Sequence, residues 1–80
     1  MPAYKWERGP GIEPKWLILD ENRVIVRQII DRGPSYGQER FEVSGGGHFS
    51  KHPSHSKAEI EAEGSLTPEE VLRVRAAEGA

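Results

Sequence analysis

Residues 15–31 limit the fold more than any other stretch of this sequence. Two runs of apolar side chains, over residues 16–19 and 24–30, flank a polar segment at residues 20–23. β-Branched and aromatic residues are frequent in both runs, as is typical of strands. Asn22 tolerates a positive φ, so the polar segment suits the turn between two strands. The pattern predicts an antiparallel β-hairpin.

Both strands of this hairpin are apolar on both faces. In the first strand, Trp16 and Ile18 share one face, because side chains alternate along a strand. Leu17 and Leu19 share the other face. A strand that is apolar on both sides is usually covered on both sides, by a helix, another sheet or a second copy of the molecule. We therefore expect the sheet surface left open to bind another protein or to form a homodimer.

A third strand is predicted at residues 39–43, after a turn that contains Gly, Pro and Ser. Phe41 and Val43 alternate there with Arg40 and Glu42, so one face is apolar and the other is polar. Consecutive strands with short links usually pair as neighbours. The three strands together predict an antiparallel meander.

The C-terminal residues predict a helix that covers one face of the sheet. Thr67 is a favourable N-cap, Pro68 suits the first helical position, and Glu70 completes a capping box. The helix is predicted to run over residues 68–77. Residues 57–63 are good helix formers, but their apolar side chains alternate with a period of two. Helix and strand both stay open for them, with helix favoured.

These elements predict a single small α+β domain over residues 1–80, with a three-stranded antiparallel sheet and one C-terminal helix. Residues 1–14 carry three prolines and two glycines, so they predict an irregular N-terminal arm. The meander occupies residues 15–43. Residues 44–57, which are rich in Gly, His and Ser, predict a flexible loop, and residues 58–80 form the helical C-terminal part.

Composition narrows the class of protein. A chain of 80 residues without cysteine buries only about 60% of its unfolded surface and has no disulfide to stabilise it. No apolar run reaches the roughly 18 residues of a membrane span, so we expect a cytoplasmic protein with no membrane partner. The net charge of −2 disfavours a protein that binds nucleic acid mainly through phosphate contacts.

All three histidines, His48, His52 and His55, fall in the glycine-rich stretch. Three imidazoles match the ligand number of a catalytic zinc site, and an imidazole can also act as a general base. A metal-binding protein or a histidine-dependent hydrolase is therefore one hypothesis. The glycines at 45–47 and Pro53 favour a solvated loop instead. We expect no cofactor, and a binding protein is favoured over an enzyme.

Aromatic and arginine side chains supply the candidate interaction residues, because both types are enriched at interfaces. These candidates are Trp6, Trp16, Tyr36, Arg27, Arg40 and Phe49. A nucleic-acid-binding β-rich domain would use Arg23, Arg27, Arg32 and Arg40 with Tyr36, pairing with phosphates and stacking on bases. Acidic residues lie near each of these arginines in the sequence, which favours cross-strand ion pairs.

We recognise no known family in these motifs. The favoured function is a small non-enzymatic protein-binding module or regulator that acts through an exposed sheet face or edge. Nucleic-acid binding comes second, and a histidine-dependent hydrolase or metal-binding protein comes third.

Overall fold

Five strands form one antiparallel sheet, in which the spatial order follows the chain order. The structure is a computed structural model that describes residues 4–79. The strands are β1 (Glu7–Arg8), β2 (Lys15–Leu19), β3 (Ile25–Asp31), β4 (Phe41–Gly45) and β5 (His48–His52). Two helices follow, α1 (His55–Gly64) and α2 (Pro68–Gly79), and a 3-10 helix, Pro34–Glu39, links β3 to β4. No helix among residues 4–79 combines the length and the apolar character needed to cross a membrane.

The α+β class agrees with the sequence, but the prediction of a three-stranded sheet with one helix is wrong. One additional strand, β1, lies in the arm expected to be irregular, and β5 lies in residues 44–57, expected to be a flexible loop. Phe49 is the one large apolar residue of β5, so no apolar alternation marks this strand. Its pairing with β4 comes from the turn, where Gly46 and Gly47 adopt φ angles of 59° and 82°. A two-residue turn with two positive φ angles matches the twist of a hairpin.

The central hairpin forms as the sequence predicts, with Trp16 paired to Ile29. Its turn differs in one respect, because the residue with positive φ is Arg23, at 63°, and not Asn22. The buried carboxylate of Asp20 explains this, since it accepts hydrogen bonds from the backbone N–H of Asn22 at 2.8 Å and of Val24 at 3.0 Å. Asp20 fixes the turn, and the left-handed position falls on the residue after Asn22.

Two helices cover one face of the sheet with two apolar clusters. In the first cluster, Ala58 and Ala62 of α1 pack on Ile29 and Val43, since alanine lets the helix approach closely. In the second, Val74 of α2 packs on the β2–β3 hairpin. Residues directly opposite in neighbouring strands share a face. Successive partners Trp16, Ile29, Val43 and Ser50 therefore mark the covered face from β2 to β5.

Both helices begin at side-chain caps. The predicted capping box of α2 is confirmed, because Thr67 Oγ1 accepts from the Glu70 N–H at 3.2 Å and Glu70 Oε1 accepts from the Thr67 N–H at 3.0 Å. Helix α1 starts earlier than its sequence pattern suggests. Its N-cap is Ser54, whose hydroxyl accepts from the Lys57 N–H at 3.2 Å.

A buried ion pair joins α2 to the sheet. Arg27, which is 2% exposed, donates to both carboxylate oxygens of Glu70 at 2.9 and 3.0 Å. It also donates to the hydroxyl and the carbonyl of Ser65 in the α1–α2 link, both at 2.9 Å. These bonds satisfy the guanidinium, and the hydrogen bonds from Arg27 hold the pKa of the Glu70 carboxyl below its ordinary value.

The glycine-rich turn packs directly against this ion pair. A Cβ at Gly46 would collide with Nη1 of Arg27 and would lie 2.7 Å from Oε2 of Glu70. A Cβ at Gly45 would collide with the Val26 carbonyl. Only a residue without a side chain fits at either position, so these glycines are structural.

Candidate interaction edge and histidine row

The face of the sheet opposite the helices is mainly polar. Its residues form two rows across the strands, Leu17 with Gln28, Ser44 and Phe49, and Lys15 with Ile30, Glu42 and Lys51. Leu17 and Ile30 are only 8% and 9% exposed, although no helix lies on this side. The open face therefore shows little of the apolar surface that the hairpin pattern implied.

The two edges of the sheet differ in length. Strand β1 contributes only two residues to one edge, whereas β5 contributes five residues to the other. Gly45 pairs with His48 around the two-residue turn, so alternate residues of β5 hydrogen-bond to β4. The residues between them, Phe49 and Lys51, direct their N–H and C=O groups away from the sheet. Among the described residues, β5 pairs with β4 alone, so no strand lies on its outward side.

Phe49 makes this edge partly apolar. Its side chain is on the open face and the residue is 61% exposed. The Lys51 ammonium lies 5.9 Å from the Phe49 ring centroid and 3.7 Å from a carboxylate oxygen of Glu39 in the 3-10 helix. Tyr36, in the same 3-10 helix, is 53% exposed. The two exposed aromatic candidates therefore lie on β5 and on a segment that contacts it.

The other side of β5 carries a row of three polar side chains that we name the histidine row: His48, Ser50 and His52. All three are half-buried and lie on the helix-covered face. The Ser50 hydroxyl lies 2.8 Å from Nε2 of His52 and 3.3 Å from Nε2 of His48. Both imidazoles therefore converge on one hydroxyl.

His55 occupies a different environment. Its ring, in the first turn of α1, packs on Trp16 at a centroid distance of 4.5 Å and on Phe41 at 5.7 Å. Its Nε2 is buried and has no hydrogen-bond partner among the described residues. The structure thus brings two of the three proposed zinc ligands to Ser50 and uses the third in packing. Among residues 4–79, no group of three or more His, Asp or Glu side chains is placed to hold a metal ion.

Three of the candidate interaction residues are structural in this chain. The Trp6 indole N–H donates to Glu63 at 2.9 Å, and its ring contacts both apolar clusters. Trp16 packs against the first cluster. Arg27 lies in the buried ion pair. These residues stabilise the fold and offer little surface to a partner.

Every arginine proposed for nucleic-acid binding is ion-paired. The pairs are Arg23 with Glu7 at 2.7 Å, Arg27 with Glu70 at 2.9 Å, Arg32 with Glu13 and Glu42 at 3.0 Å, and Arg40 with Asp31 at 2.7 Å. The hydrogen bond from Arg40 holds the pKa of the Asp31 carboxyl below its ordinary value. A phosphate would have to displace a bonded carboxylate at each of these positions.

An open pocket lies where the β2–β3 turn meets the end of α2. Its volume is about 230 Å³, and its lining residues are Lys5, Glu7, Leu19, Asp20, Glu21, Arg23, Ala77 and Glu78. Its lining has two cations and four carboxylates, and it includes the Arg23–Glu7 pair. The histidine row is not part of this pocket.

Ser50 is the site residue that sequence reasoning missed. The spacing His48, Ser50, His52 has a period of two, which places all three side chains on one face of a strand. The signal was therefore present, but it depended on recognising β5 as a strand.

No protein family, no curated protein and no solved structure matches this chain.

Proposed function

We propose that this protein is a non-enzymatic protein-binding module that pairs the free edge of β5 with an extended strand of its partner. The observation that carries the proposal is the contrast between a five-residue edge at β5 and a two-residue edge at β1. We assign the module to the cytoplasm, because a chain without cysteine needs no oxidising compartment.

Strand addition suits β5 for a physical reason. An added strand gains affinity from backbone hydrogen bonds and specificity from side chains at alternate positions. Phe49 and Lys51 supply both, since their backbone groups face outward and their side chains lie on the open face. Edge strands are usually shortened, bulged or protected by charge. In β5, Lys51 is the single charged residue beside an exposed aromatic ring.

A photo-crosslinking amino acid at position 49, introduced in the cells that produce the protein, tests the proposal. We expect a crosslinked product at this position and none at Leu72, a control of similar exposure on α2. Lys51→Pro removes an outward N–H without removing a bond to β4, and it should abolish the product. Equal crosslinking at positions 49 and 72, or a product that survives Lys51→Pro in a folded variant, would contradict the proposal.

A second candidate is a hydrolase built on Ser50. A hydroxyl 2.8 Å from an imidazole nitrogen is the distance of a nucleophile and its general base. A fluorophosphonate probe tests this reading, because it labels an activated serine. Labelling of Ser50 that disappears in His52→Ala and persists in His55→Phe would support the hydrolase. No labelling of the folded protein would dismiss it.

A further inference from the structure

We infer that the partner strand is β5 of a second copy, and that the two histidine rows then bind one divalent transition-metal ion such as zinc. This inference rests on the proposed pairing at β5. It assigns a partner and a ligand to the edge.

The sequence of β5 is complementary to itself when two copies run antiparallel about a two-fold axis at Ser50. In that register, Phe49 lies opposite the second copy's Lys51, and His48 lies opposite the second copy's His52. An ammonium group beside an aromatic ring is a favourable contact. The register places no two ammonium groups and no two carboxylates opposite each other. A C2 interface requires this kind of self-complementarity.

Backbone geometry brings the two histidine rows close together. Because Phe49 and Lys51 carry the free backbone groups, they form the hydrogen-bonded pairs of the new ladder. His48, Ser50 and His52 then occupy non-hydrogen-bonded pairs, in which opposing side chains are closest. Within one chain both imidazoles already converge on the Ser50 hydroxyl. With the two-fold axis between the two Ser50 residues, the four imidazoles of two chains lie around that axis.

Zinc binds imidazole nitrogens and is almost always four-coordinate in structural sites, so four imidazoles match its ligand number. A single chain brings only two imidazoles to Ser50, so the site is incomplete without the second copy. The Lys51 ammonium does not oppose a cation there, because Lys51 lies on the opposite face of β5. His55 stays outside the site, since Trp16 and Phe41 enclose its ring.

Zinc titration of the purified full chain, followed by calorimetry and analytical ultracentrifugation, tests the metal site. We expect one zinc ion per two chains and a dimer that EDTA dissociates. His48→Ala and His52→Ala should each abolish zinc binding, whereas His55→Phe, which keeps the packed ring, should bind zinc as the wild type does. Binding of one zinc per chain to a monomer, or unchanged binding in His48→Ala, would overturn the inference.

A charge pair at position 49 tests the register without touching the metal ligands. Phe49→Lys places two lysines opposite each other at both ends of the interface, and it should weaken the zinc-bound dimer about tenfold. Phe49→Glu places a carboxylate opposite each lysine at the same exposed position, and it should leave the dimer at least as strong. Equal effects of the two substitutions would overturn the antiparallel register.

The two sets of experiments separate the inference from the proposed function. A crosslink from position 49 to a different protein, with a purified chain that stays monomeric in zinc, supports strand pairing and overturns the second copy. A crosslink to another copy of this chain supports both. If position 49 gives no crosslink and zinc produces no dimer, both are wrong.

Discussion

Arg23 and Arg27 belong to the same hairpin region, and each is bonded to a carboxylate at nearly the same distance. The Arg23–Glu7 contact is 2.7 Å and the Arg27–Glu70 contact is 2.9 Å. Their surroundings differ, since the side chains of the first pair are 69% and 41% exposed and those of the second 3% and 11%. Water screens the exposed pair, whereas losing one member of the buried pair leaves a charge without compensation. Burial, not distance, decides which pair the fold depends on.

The same contrast divides the glycine- and histidine-rich stretch. Gly46 lies against the buried ion pair, and the His55 ring lies against Trp16 and Phe41. Between these two anchored positions, β5 presents Phe49 and Lys51 at a free edge. These anchored positions hold β5 in an extended form before a partner binds. Binding therefore costs less conformational entropy than it would for a flexible segment.

The largest expected effect is the loss of the buried carboxylate. Glu70→Ala leaves the Arg27 guanidinium buried without its counter-charge, and it should lower the free energy of unfolding by about 3–5 kcal/mol. Urea denaturation followed by the fluorescence of Trp6 and Trp16 measures this. Glu7→Ala, at the exposed pair, is the matched control and should change the urea midpoint far less. Equal shifts in the two variants would show that burial does not distinguish the pairs.

The second-largest effect is expected from a methyl group added at Gly46, in the β4–β5 turn. Gly46→Ala imposes a side chain at a φ of 59° and pushes it into the ion pair, so it should cost more than the roughly 1–2 kcal/mol of a left-handed alanine. Gly47→Ala is the control, because its φ is also positive but nothing lies within 4 Å of the added Cβ. The same urea titration should rank Gly46→Ala as less stable than Gly47→Ala. The reverse order would show that the turn does not rest on the ion pair.

Acid should gradually remove the stabilisation that the Arg27–Glu70 ion pair gives to the fold. The hydrogen bond from Arg27 holds the pKa of Glu70 below its ordinary 4.5, so the unfolded chain takes up the proton first. The stabilisation is complete above pH 4.5 and is lost as the pH falls through the lower folded-state pKa. Urea midpoints measured from pH 7 to pH 3 should fall less steeply in Glu70→Gln than in the wild type. Parallel curves would contradict the assignment to Glu70.

The sequence predicted those elements in which the pattern of apolar and polar side chains shows which face is buried, or in which capping residues mark an end. Strands β2, β3 and β4 and helix α2 have apolar alternation or capping residues, so their positions could be read locally. Strands β1 and β5 could not be read in this way. Strand β5 has one large apolar residue, Phe49, and its pairing depends on the packing of Gly46 against Arg27 and Glu70, which are distant in the sequence.

The candidate site shows the same limit. Phe49 and Tyr36 are exposed, whereas the aromatic residues Trp6 and Trp16 pack against the apolar clusters and Arg27 lies in the buried ion pair. Residue type indicates which side chains are suited to an interface. Tertiary packing decides which of them remain exposed to a partner. His48 and His52 meet at Ser50 because β5 is extended. The prediction of a flexible loop over residues 44–57 did not show that these three side chains share one face.

The smallest expected effect concerns the backbone of Arg23. Its φ of 63° is unfavourable for a residue with a side chain, and glycine adopts it without strain. Arg23→Ala and Arg23→Gly both remove the exposed pair with Glu7, so their difference reports on the backbone alone. We expect Arg23→Gly to unfold at higher urea than Arg23→Ala, in the same fluorescence titration. If alanine is as stable as glycine at this position, the turn relaxes without Arg23, and the left-handed conformation depends on the bond to Glu7 rather than on the Asp20 turn.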